Sequence, residues 1–191
     1  MKKFELKSIV RPNIWELMPY SSARDEFTGN EGVFLDANEN PFGDRNRYPD
    51  PHQRELKKAL SSRNNIPVDN IFIGNGSDEV IDLVYRIFCE PSRDSVIICP
   101  PTYGMYEVSA NINNVNIIRI PLDDEFELNT DLILAESAKC IFICSPNNPT
   151  GNNLKNIKEI LDQFNGIVVV DEAYIDFSDS EGFMSTINKY P

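Results

Sequence analysis

Short, nearly unbroken apolar runs alternate along this chain with longer stretches whose apolar residues recur every three or four positions. Ser95 to Cys99, Cys140 to Cys144 and Ile167 to Val170 have strand length and almost no polar interruption. That pattern belongs to strands covered on both faces. Ile71-Phe72-Ile73 and residues 116–120 are further strand candidates, and Val33-Phe34-Leu35 is a short one. Helical spacing marks Ser77 to Phe88, where Val80, Ile81, Val84, Ile87 and Phe88 share a face. It also marks Leu154 to Phe164, with Leu154, Ile157, Ile160, Leu161 and Phe164 as the stripe, and Gln53 to Leu60, with Leu56 and Leu60. Shorter helices are expected over 103–111 and 130–136. Ile14, Leu17 and Met18 have helical spacing until Pro19 stops the run, and residues 38–51 are turn-rich, with Pro41, Gly43, Pro49 and Pro51.

From residue 71 onward strand and helix follow one another in turn. This predicts an α/β domain with a mainly parallel sheet and helices on both faces. Ligands of such sheets bind at the carboxyl ends of the strands, and the chain's motifs fall at those ends.

Bulk properties narrow the classes. The chain has 191 residues, of which 41% are hydrophobic and 25% charged, the make-up of a soluble globular protein. A net charge of −12 without a basic stripe disfavours a nucleic-acid partner. Cys89, Cys99, Cys140 and Cys144 form no paired Cys-x-x-Cys knuckles, and His52 is the only histidine, so no metal site is expected. These thiols read as small hydrophobes that require no oxidising compartment. No apolar run approaches the roughly 20 residues of a membrane span. The N-terminal residues have no apolar core of signal-peptide length, and a cytoplasmic location is expected.

Cys144-Ser145-Pro146-Asn147-Asn148-Pro149-Thr150-Gly151 ends one strand, and Asp171-Glu172-Ala173-Tyr174 ends the next. Between Asn148 and Asp171 there is room for one helix and one strand, a single right-handed crossover that returns Asp171 to the neighbourhood of Asn148. An Asn, an Asp and a Tyr so placed can hold the ring of pyridoxal phosphate. The carboxylate pairs with the protonated pyridine nitrogen, while amide and hydroxyl share the phenolic oxygen. The plainer alternative is a Pro-Gly turn and a strand capped by acids. Glu172 reads as a structural or solvated acid.

Gly74-Asn75-Gly76-Ser77-Asp78-Glu79 follows a strand and opens a helix. Backbone N–H groups at such a terminus bind phosphate, or Ser77 simply caps the helix. Pro101-Thr102-Tyr103-Gly104-Met105-Tyr106 follows the next strand, and Tyr103 is either a stacking platform for a flat heterocycle or a core aromatic. Tyr48, within Arg47-Tyr48-Pro49-Asp50-Pro51, is either a loop residue or a ligand contact.

These motifs, together with Leu35-Asp36-Ala37-Asn38-Glu39-Asn40-Pro41-Phe42-Gly43, Arg11-Pro12-Asn13 and Pro19-Tyr20-Ser21-Ser22-Ala23-Arg24, occur in the order seen in histidinol-phosphate aminotransferases. The chain resembles that branch of the aspartate-aminotransferase type of pyridoxal-phosphate enzymes over essentially its whole length. The resemblance implies the large cofactor-binding domain over 38–191, preceded by an N-terminal arm and the start of a smaller domain over 1–37. It implies pyridoxal 5'-phosphate, with its phosphate on the amides around Ser77 and Asp78 and its ring on Tyr103. Asn148 and Tyr174 would contact the phenolic oxygen, and Asp171 the ring nitrogen. It further implies a homodimer in which Tyr48 reaches the other subunit's cofactor, and places Tyr20 near a small phosphorylated amine or ketone substrate. The reaction implied is amino transfer between glutamate and imidazole-acetol phosphate in histidine biosynthesis. Alternatives are a pyridoxal-phosphate decarboxylase or aminotransferase for another small phosphate ester, and a fragment acting as a binding module.

One departure is large. The family's Schiff-base Lys lies in a Ser/Thr-x-Ser-Lys element after the Asp-x-x-Tyr motif. Here the only Lys after Asp171 is Lys189, whose surroundings, Ile187-Asn188-Lys189-Tyr190, do not match. The chain therefore reads as the N-terminal half of such an enzyme, with no catalytic Lys of its own. The Lys is expected beyond Pro191, and the 191 residues alone are expected to be inactive.

Overall fold

The structure, a computed structural model, describes residues 5–22, 27, 31–33 and 35–190. The helices are α1 (Leu6–Ile9), α2 (Pro12–Trp15), α3 (Arg54–Asn64), α4 (Gly76–Phe88), α5 (Met105–Ile112), α6 (Thr130–Ala135) and α7 (Ile157–Gln163). The strands are β1 (Ser95–Ile98), β2 (Asn116–Arg119), β3 (Cys140–Cys144) and β4 (Ile167–Asp171). The chain divides into two compact units, Met1–Trp15 with Gly74–Pro191, and Glu16–Ile73. Among the described residues no helix is long and apolar enough to cross a membrane.

The first unit carries the sheet, in the order β2-β1-β3-β4. All three pairings are parallel. Parallel neighbours need crossover connections, and α5, α6 and α7 provide them. Successive strand residues point to opposite faces, and the packing follows that alternation. On one face Val96, Ile98, Cys140, Phe142 and Cys144 pack with Ile81 and Tyr85 of α4 and Tyr106 and Ala110 of α5. On the other, Ile97, Ile141 and Ile143 pack with Ile133 of α6 and Ile157 and Ile160 of α7. The sheet is thus covered by helices on both faces, which explains why β1 and β3 are apolar without alternation. Every residue of β3 is buried, whereas those of β4, at the sheet's edge, are all half-buried.

Tyr85, Tyr106 and Phe142 form an aromatic stack in the first core. The Phe142 ring lies 5.0 Å from that of Tyr85 and 5.1 Å from that of Tyr106. The Tyr85 hydroxyl donates to the Tyr106 carbonyl at 2.8 Å, which satisfies a buried polar group that would otherwise destabilise the stack.

Several expected elements change. Ile71–Ile73 forms no strand. A strand requires a ladder partner, none pairs with this segment among the described residues, and Phe72 is exposed. α2 ends at Trp15, and Leu17 and Met18 stand exposed beyond it. Pro19 disfavours helical backbone at Met18 and offers no N–H. α5 starts at Met105 and leaves Tyr103 in the preceding turn. α7 starts at Ile157 because Asn156 adopts a left-handed conformation, φ 62°. Of the expected Val33–Leu35 strand, Phe34 lies outside the described residues, while Val33 and Leu35 are exposed.

Ile141, fully buried in the second core, tests the fold. Ile141→Ala should cost about 2–5 kcal/mol in urea denaturation, the range for truncating a buried aliphatic side chain. The buried thiols give a pH test. Burial pushes Cys89 and Cys99 from the ordinary 9.0 up to about 12. The folded chain therefore keeps both protons where the unfolded chain releases them. Stability should be unaffected by these groups below pH 9 and fall between pH 9 and 12. Replacing both with Ala should flatten that fall in denaturation midpoints; an unchanged slope would mean the thiols ionise equally in both states.

Candidate active site

The carboxyl ends of β3 and β4 lie side by side. Cys144 is the register partner of Asp171, and the Ser145 N–H donates to the Asp171 carbonyl at 2.9 Å. The Asp171 carboxylate is held at both oxygens. Oδ1 accepts the Ala173 N–H at 3.0 Å, and Oδ2 accepts the Tyr106 hydroxyl at 2.7 Å. The buried Cys144 thiol sits among the same groups. Burial raises its pKa and Asp171 adds to the rise, while the Asn148 N–H and the Tyr106 hydroxyl oppose it. Asn148, Tyr106 and Asp171 therefore meet around one sulfur.

The N-terminus of α4 supplies free donors. Gly76 turns at φ +76°, with open space where a Cβ would stand. Among the described residues no acceptor faces the N–H groups of Gly76, Ser77 and Asp78. The two acids beside them are engaged elsewhere. Glu79 Oε2 folds back to accept the Asn75 N–H at 2.5 Å and its Nδ2 at 3.0 Å. Asp78 Oδ1 accepts the Tyr103 hydroxyl at 2.9 Å. Asn75 is the N-cap of α4 and makes no side-chain cap bond, and Ser77 lies inside the helix and does not stand at its cap. A helix N-terminus of this kind suits an anion, through its unpaired N–H groups and its dipole.

Tyr103 and Tyr106 meet edge to face, with ring centroids 5.7 Å apart. The Tyr103 hydroxyl titrates upward, first because Asp78 accepts its hydrogen bond, with Tyr174 and Asp171 adding repulsion. Tyr103, Asp78, Asp171 and Tyr174 thus belong to one neighbourhood. Asn148 and Tyr174 line a shared hollow with Pro146, Gly151 and Phe177. Glu172 turns away from it. Its Oε1 accepts the Phe183 N–H at 2.6 Å, and partial burial raises its pKa. Glu172 therefore fastens residues 182–183, a structural task. Tyr20 and Tyr48 lie in the other unit and are 92% and 69% exposed. Arg24 and Ala23 of the Pro19–Arg24 motif lie outside the described residues.

Two contributors escaped the sequence reading. Asn147, only 2% exposed, locks the two loops that carry the site. Its Nδ2 donates to the Pro101 carbonyl at 2.9 Å and to Thr150 Oγ1 at 2.7 Å, and its Oδ1 accepts the Thr102 hydroxyl at 3.0 Å. Nothing in Asn147-Asn148 tells the lock from its neighbour. Tyr106 was legible only as an aromatic near Tyr103.

The profile of the family described as aminotransferase class I and II matches residues 28–190. The chain belongs to that family. The chain is 58% identical to the histidinol-phosphate aminotransferase of Cytophaga hutchinsonii, over 98% of this chain and 57% of the relative. It is 54% identical to that of Bacteroides fragilis strain YCH46, over 97% of this chain and 56% of the relative. The chain thus spans somewhat over half the length of these curated relatives. In structure it is similar to the histidinol-phosphate aminotransferase of Clostridium acetobutylicum, with a TM-score of 0.66 and 26% identity over 75% of this chain and 44% of the other. The Sinorhizobium meliloti enzyme, solved in complex with pyridoxal-5'-phosphate, shares the fold at a TM-score of 0.62 and 23% identity, over 69% and 38% of the two chains.

Asn147→Ala would strip Thr102 and Thr150 of a buried partner. The loss should be about 1–3 kcal/mol, the cost of leaving buried polar groups unmet. Thermal unfolding with limited proteolysis of residues 145–152 checks it. A loss confined to Asn148→Ala instead would assign the lock to the wrong asparagine.

Proposed function

We propose that the protein carrying this chain binds pyridoxal phosphate and transfers an amino group between glutamate and imidazole-acetol phosphate, yielding histidinol phosphate and 2-oxoglutarate. The observation that carries this reading is the Asp171 carboxylate at the carboxyl end of β4, held at both oxygens beside Tyr103 and Tyr174. The names of the relatives support the choice of substrates. When bound, pyridoxal phosphate supplies an electron sink for deprotonation at a substrate's Cα.

The chain's residues fit that group. The N–H groups of Gly76, Ser77 and Asp78 would take the phosphate, in the open space left by Gly76. Tyr103, steadied by Asp78, would offer its ring face. Asn148 and Tyr174 would donate to the phenolic oxygen. Asp171 would hold a proton on the pyridine nitrogen, since an anion beside a base favours its protonated form. The Lys that forms the Schiff base would follow Pro191 in the sequence. We place residues 38–191 in the large cofactor domain and 1–37 in the arm and the start of the small domain. The working assembly would be a cytoplasmic homodimer completed by Tyr48 of a second copy, with Tyr20 near the substrate.

The test is an assay of the full-length protein with glutamate and imidazole-acetol phosphate. Appearance of 2-oxoglutarate and histidinol phosphate is expected. Release of carbon dioxide from a phosphorylated amino acid, without amino transfer, would replace the reading with a decarboxylase. In the same protein Asp171→Ala and Asp171→Asn should each lower kcat by about 10²–10³-fold, the scale of one preorganised electrostatic contact. KM should change little, because the loss falls on the deprotonation step and not on substrate binding. Near-normal turnover of Asp171→Ala with cofactor bound would make Asp171 a strand cap. Sedimentation should find a dimer, and an active monomer would remove the role given to Tyr48.

A further inference from the structure

We infer that Tyr106 is a positioning residue that fixes the Asp171 carboxylate for its pairing with the pyridine nitrogen, an inference that rests on the cofactor reading above. Asp171 Oδ1 is tied to its own turn through the Ala173 N–H, whereas Oδ2 is tied, among the described residues, only to the Tyr106 hydroxyl, at 2.7 Å. Without that hydroxyl the carboxylate would pivot about Oδ1. With it, both oxygens are fixed and still have lone pairs for a third donor, since an ionised carboxylate accepts about four hydrogen bonds.

The phenol that does this is itself immobile. Tyr106 is fully buried. Its ring stacks on Phe142 at 5.1 Å and meets the edge of Tyr103 at 5.7 Å. Its backbone is held within α5, so backbone and ring are both pinned. Burial, reinforced by Asp171 and Cys144, pushes its pKa far above the phenol range. The hydroxyl therefore remains a donor at every working pH. Phe would fill this core equally well, and a buried hydroxyl costs free energy unless it finds an acceptor. Here the acceptor is the one carboxylate that the site uses. Tyr106 also belongs to α5, the helix that follows the Tyr103 turn. One short segment thus sets both the ring face and the charge.

Tyr85 provides the matched control. It lies in the same stack and is equally buried, but its hydroxyl donates to backbone and not to Asp171. Tyr106→Phe and Tyr85→Phe remove the same atom from one cluster, so a loss of packing or stability would affect both. The experiment uses the full-length enzyme loaded with pyridoxal phosphate carrying ¹⁵N in the ring. The ring ¹⁵N shift is followed against pH in the wild type, Tyr85→Phe, Tyr106→Phe and Asp171→Asn. The expected result is a protonated-nitrogen shift in the wild type and Tyr85→Phe, and a shift displaced toward neutral pyridine in Tyr106→Phe and further in Asp171→Asn. Turnover of Tyr106→Phe should fall about 10–100-fold, the scale of one hydrogen bond to a charged group, with KM unchanged. A Tyr106→Phe shift equal to the wild type, or an equal displacement in Tyr85→Phe, would overturn the inference while leaving the cofactor reading intact. A wild-type nitrogen that is neutral and indifferent to Asp171→Asn would overturn both.

Discussion

The parallel pairing of β3 with β4 sets Cys144 opposite Asp171, and the geometry of the site follows from that register. Side-chain direction alternates along a strand, so a slip of one residue would send Asp171 to the opposite face of the sheet. It would then leave Tyr106, which packs on the face shared by Cys140, Phe142 and Cys144. The register is itself held by burial. Ile141 and Ile143 must face α6 and α7, and Phe142 must face α4 and α5. Hydrophobic patterning deep in the sheet thereby fixes the height and direction of a carboxylate at its rim.

Loops at that rim are held by polar groups rather than by apolar burial. Asn147 joins the turn after β1 to the turn after β3, and Asp78 joins α4 to Tyr103. Glu79 closes the turn before α4, and Glu172 fastens the segment after β4. These contacts order the backbone without filling the crevice, which leaves the α4 N–H groups open to an anion. Asp78, Glu79, Asp171 and Glu172 each accept a hydrogen bond from a neighbouring donor, which fixes where their carboxylates stand.

Most of the sheet was legible because its strands are buried on both faces and short, which leaves nearly pure apolar runs. α4 was legible as a helix, but its stripe only in part: Ile81, Val84 and Phe88 face the core as expected, whereas Val80 is exposed and Tyr85, outside the expected stripe, is fully buried. Ile71–Ile73 carries the same run without forming a strand. An apolar triplet encodes a wish for burial, and only a pairing partner turns it into a ladder. Local backbone choices were hidden for a similar reason: Asn156 adopts the left-handed conformation that delays α7, and an Asn in sequence does not announce it. Within the candidate site, Asp171, Asn148 and Tyr174 could be singled out because their residue types carry the chemistry. Asn147 and Tyr106 were not, because their work is done through other residues and depends on distances that spacing does not encode.

The two margins of the sheet differ in how they meet other proteins. β2 begins with Asn116 and ends with Arg119, both exposed, and polar side chains of this kind discourage a foreign strand from adding on. β4 has no such guard. Ile167, Val168, Val169 and Val170 precede Asp171 without a Lys, a Pro or a bulge, and β3 is its only ladder partner among the described residues. Its outer N–H and C=O groups form a template that any extended apolar segment can read. For these residues by themselves, that margin is where association with another strand would begin.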